Sequence, residues 1–126
     1  MIAAIAMLIG RPYEQILSAA QAIQPDYNPD TDPLAPAVMR RVAYAAGALL
    51  VSSICMDWRY PGIIGVLSKT LPGCGHAVFW DGAQLIDPGG QAIYDMEYVQ
   101  SEAVEYIQRA ADIQALVEHD RNLRVS

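Results

Sequence analysis

Charge is scarce in this chain, and positive charge is scarcest. Only 17% of the 126 residues are charged, and eight Lys and Arg against fourteen Asp and Glu leave a formal net charge of −6. That balance argues against nucleic acid as a partner, because phosphate recognition needs clustered cations. The basic residues are scattered, with Arg40-Arg41 the only adjacent pair, which disfavours an anionic membrane surface for the same reason. Cysteine is scarce as well. Cys55 and Cys74 are too few and too unpatterned for a disulfide framework. With His76 and His119 they could in number make a Cys₂His₂ zinc site, but none of the usual short ligand spacings is present. Asp30-Thr31-Asp32 lacks the glycine and the further acidic ligands of a calcium loop, so no metal or other cofactor is expected. The longest apolar run, Met1–Ile9, is too short to span a bilayer. It also lacks a basic segment before it, as a secretory signal would have, and Arg11 follows it instead. The expected compartment is the cytoplasm.

What remains fits one domain over residues 1–126, large enough to bury a core without staples. An apolar-all-round segment such as "MIAAIAMLIG" predicts a helix buried on several sides, stopped at Gly10. Pro12 suits the first turn of a second helix, whose stripe is Tyr13, Ile16, Leu17, Ala20 and Ile23. Residues 24–36 hold four prolines and three aspartates and read as loop. A third helix is expected over Ala37–Ala46, with Val38, Val42 and Ala45 on its apolar side. "ALLVSSICMDW" is a strand or a buried connection, with Cys55 read as a core residue, and "GIIGVLSK" is a strand. The spacing of Val104, Ile107, Ala111 and Leu116 predicts a closing helix from Ser101 to His119. Helices, then strands, then a helix indicate the α+β class.

Chemistry concentrates in "GCGHAVFWDGAQLIDP", Gly73–Pro88. Asp81-Gly82 is a strong hairpin-turn dipeptide between strand formers. A two-residue loop there sets Trp80 opposite Ala83, Val78 opposite Leu85, and His76 opposite Asp87. Directly opposed residues have Cβ atoms about 4.5–5.5 Å apart, so imidazole and carboxylate could share a hydrogen bond. Such a bond fixes the ring and its tautomer, as the third member of a Cys-His-Asn/Asp or Ser-His-Asp system does. The plain alternative is a polar histidine at a strand start and a turn aspartate before proline.

"GHAVFWDGAQLIDP" resembles the His strand, turn and Asp-Pro strand of papain-like cysteine peptidases, above all the bacteriocin-leader-processing (double-glycine) peptidase group. The resemblance implies a papain-like fold, with N-terminal helices packed on a small antiparallel sheet. It also implies His76 as general base and Asp87 as its orienting partner. "MIAAIAMLIG" is similar to that group's nucleophile helix, roughly Asp-Cys-Gly-x-Ala-Ala-x-Ala-Met, with Ala3, Ala4, Ala6 and Met7 on the matching positions. "GRPYEQIL" resembles the turn and second helix that follow it. In this alignment the nucleophilic cysteine falls immediately before Met1, and the glutamine that donates to the oxyanion falls a few residues earlier. Residues 1–17 and 73–88 carry the likeness.

Three functions follow as expectations. The first is a cysteine peptidase or amide hydrolase for a peptide or protein substrate, whose nucleophilic Cys is missing from this chain through truncation or a misplaced start, so that this chain is expected to be inactive. The second is a pseudoenzyme that binds a peptide or protein in the surviving cleft. The third is a small structural or regulatory protein with a well-made hairpin.

Overall fold

A computed structural model of the chain describes residues 1–69, 73–88 and 94–113. The first apolar run forms helix α1 (Ile2–Ile9), closed by Gly10 in the left-handed conformation at φ 68°. A side chain would be strained there, which is why glycine ends the helix. Helix α2 (Tyr13–Ile23) buries Ile16 and Ala20, and α3 (Pro36–Ala45) buries Met39, Val42 and Ala43.

Strands β1 (Leu50–Ser53), β2 (Gly62–Leu67), β3 (Gly75–Trp80) and β4 (Leu85–Ile86) follow, then helix α4 (Met96–Glu102) and strand β5 (Ala103–Arg109). Together they make an α+β architecture around one five-stranded antiparallel sheet of order β1-β5-β2-β3-β4. The C-terminal expectation is corrected here. Residues 103–109 are a strand, Val104 is 67% exposed, and helix resumes only at residue 110. Leu116 and His119 lie outside the described residues.

Alternation along β2 and β3 divides the core into two layers. Ile63, Ala77 and Phe79 face α1, α2 and α3 in a cluster that includes Ile5, Ile16 and Val42. Ile64, Val66 and Val78 face the other way, against Tyr94 and Val99, with Trp58, Trp80 and Leu85 packed at the margin. A sheet covered on both faces carries apolar residues at consecutive positions, as in "HAVFW". Among the described residues, no helix is long and apolar enough to cross a membrane.

Candidate active site

The hairpin forms around a longer loop than the dipeptide predicts. Trp80 pairs with Leu85 and Phe79 with Ile86, so the loop spans residues 81–84. Asp81 is the reason. Its Oδ1 accepts from the backbone N–H groups of Gln84 and Ala83, both at 2.7 Å, and its own N–H donates to the Gln84 carbonyl at 3.1 Å. These bonds, Gln84 first and Ala83 second, hold the Asp81 carboxyl below its ordinary value. Gly82 supplies the positive φ, 101°, that the bend requires.

The register is therefore displaced by two residues from a two-residue loop, and direct opposition of His76 and Asp87 is corrected to a diagonal relation. An even displacement keeps every side chain on its face. Diagonal neighbours sit about 7–8 Å apart, within reach of long side chains. His76 Nε2 and Asp87 Oδ1 meet at 2.8 Å, the histidine side chain 29% exposed and the aspartate 8%. An ionised carboxylate only accepts, so this bond selects the tautomer of a neutral imidazole with the proton on Nε2 and the lone pair on Nδ1.

The pair lies on the α4 side of the sheet, where His76 is opposite Val66 of β2. Burial lowers the α-amino group of Met1 below its ordinary value, and the negative charge of Asp87 pulls it back up. Asp87 therefore lies within electrostatic reach of the start of α1. Compared with protein-family models, curated proteins and solved structures, the chain matches none of them. What the site can do must be argued from its own atoms.

A further residue joins the pair. The ring of Tyr94 stacks on the His76 imidazole, centroids 4.9 Å apart and planes 15° from parallel. Tyr94 follows Asp87 by seven positions and carries no motif, so nothing in the sequence pointed to it. Neither thiol joins. Cys55 is exposed in the β1–β2 connection, not buried in a core, and Cys74 is exposed just before β3. Among the described residues, no three His, Cys, Asp or Glu side chains gather closely enough to hold a metal ion. A cleft of about 620 Å³ lined by Tyr44, Leu49, Arg40 and Arg41 lies by α2 and α3, across the sheet from this chemistry.

Proposed function

We propose that His76 and Asp87 are the base and the orienting partner of a papain-like acyl-transfer site acting on an amide bond of a peptide or protein. The observation that carries this reading is the bond between Asp87 and Nε2 of His76. It leaves Nδ1 as the one ring nitrogen able to take a proton from a nucleophile. The charge of Asp87 felt at the Met1 amine supports it, because the reading puts a thiol directly before Met1, at a helix N-terminus. There the helix dipole and an adjacent imidazolium both favour the thiolate.

With such a thiol in place, which neither Cys55 nor Cys74 supplies, the chemistry would run in two balanced halves. Nδ1 takes the thiol proton while sulfur bonds to the carbonyl carbon, and the carbon–nitrogen bond breaks as the imidazolium returns that proton to the leaving amine. Water, losing a proton to Nδ1, next attacks the thioester, and the carbon–sulfur bond breaks to release the acid and restore the thiol. Asp87 keeps the ring in one tautomer throughout.

The test is a chain extended by Cys directly before Met1, with Cys55 and Cys74 replaced by Ser. Its new thiol should alkylate faster than a free thiol near neutral pH, and His76→Ala should abolish the excess. A new thiol that reacts like free cysteine, whatever stands at position 76, removes the proposal.

A further inference from the structure

Among the described residues, two groups hold the histidine ring, and only one is its carboxylate. A single hydrogen bond at Nε2 fixes one atom of the imidazole and leaves the ring free to swing about that contact. Tyr94 closes that freedom on one face, through the near-parallel stack at 4.9 Å. A positioning group must itself be held. Tyr94 is 7% exposed, and its hydroxyl oxygen accepts from the Lys69 backbone N–H at 3.1 Å, just beyond β2. The ring of Tyr98 meets it edge-on, with centroids 5.6 Å apart at 67°. Tyr98 is anchored in turn, its hydroxyl donating to the Leu67 carbonyl at 2.8 Å. The Lys69 ammonium lies 4.5 Å from the Tyr98 ring centre and 5.3 Å from that of Tyr94. Both tyrosines are thus tied to the end of β2, the strand against which His76 is paired.

We infer that Tyr94 is a positioning residue for His76: its ring face, not its hydroxyl, sets the imidazole plane and so the direction in which Nδ1 presents its lone pair. This rests on the reading of His76 as the base. Without the stack, Asp87 alone would hold the tautomer but not the plane, and small misplacements of a reacting group are expensive.

The geometry can be tested on the chain as it stands, by NMR of ¹⁵N-labelled histidine with His119→Gln to assign the two rings. In the parent, the His76 carbon-bound ring protons should resonate upfield, shielded by the face of Tyr94. Their position should persist in Tyr94→Phe and be lost in Tyr94→Leu. Exchange of the Nε2 proton with water should accelerate about two- to tenfold in Tyr94→Leu, the change expected when an aromatic stack is lost, and little in Tyr94→Phe.

In the Cys-extended chain, alkylation should slow by the same order in Tyr94→Leu and be preserved in Tyr94→Phe. Unshielded His76 protons in the parent would overturn the inference without any variant. So would a Phe variant as impaired as the Leu variant, or a folded Leu variant with unchanged Nε2 exchange. Should Tyr94→Leu fail to fold, the parent shifts and the Phe variant still decide. A new thiol indifferent to His76 would defeat the base reading, while the ring shifts would still judge the stack.

Discussion

Asp87 holds His76 through an acceptor oxygen, and asparagine can offer one too. Asp87→Asn should therefore keep the Nε2-protonated tautomer, whereas Asp87→Ala should yield a mixture of both neutral forms, read from the ¹⁵N shifts of the ring. In the Cys-extended chain the alanine variant should lose part of the thiol reactivity and the asparagine variant less. Tyr27 gives a second prediction at this scale. Burial first, then the nearby Tyr13 and Asp32, raise its phenol above the ordinary 10.0. Above about pH 10 an unfolded chain has released that proton while the folded chain retains it, so the unfolded state binds fewer protons and stability falls as pH rises. Below pH 10 the contribution is fully present. Urea midpoints measured from pH 9 to 11 should decline less steeply in Tyr27→Phe than in the parent.

Helix α4 shows how an element serves a site it does not contain. Asp95 caps it, with its side chain accepting from the Tyr98 N–H at 2.8 Å. Asp95→Ala should cost about 0.5–2 kcal/mol by chemical denaturation. It should also loosen the Tyr98 ring that braces Tyr94. Neither α4 nor β5 was legible in the sequence, and β5 shows why. It is an interior strand whose middle is covered on both faces, so Tyr106 packs with one core layer and Ile107 with the other. Such a strand has no period of two, and its Val104, Ile107, Ala111 spacing imitates a helix. Helices α1 to α3 were legible because apolar residues gather on one side of α2 and α3 and surround α1, although on α3 Met39 and Ala43 join Val42 in the core and Ala45 is exposed. The hairpin was legible at Asp81-Gly82, and its faces survived the wrong loop length because parity did. The displacement itself depended on the Asp81 side chain bonding to the backbone, a contact invisible to propensity. His76 and Asp87 could be named from one short motif, while Tyr94 reaches the site only through tertiary packing.

Over the whole molecule, one buried amide ties β5 to the connection before β2. Gln108 is 3% exposed, and its Nε2 donates to the carbonyls of Asp57, Tyr60 and Pro61 at 2.8, 3.2 and 3.4 Å. Its Oε1 accepts from the Asp57 N–H at 2.9 Å. Gln108→Leu would leave those backbone groups without their partner, and the unfolding free energy should drop by about 1–3 kcal/mol in urea titrations. The order β1-β5-β2 carries a consequence for how the chain comes to be folded. During synthesis, β1 emerges some fifty residues before β5, the strand it pairs with along its whole length from Leu50 to Ser53. Until then β1 and β2 both present open edges towards a gap between them. The first three helices and the β2–β3–β4 meander rest on shorter-range contacts, so they can gather early, while the central strand arrives last. Long-range pairing of that kind slows folding and leaves strand edges exposed on the way. A nascent chain stalled before residue 103 should accordingly be sensitive to protease along β1, and the sensitivity should vanish once β5 has left the ribosome and slid between its two neighbours.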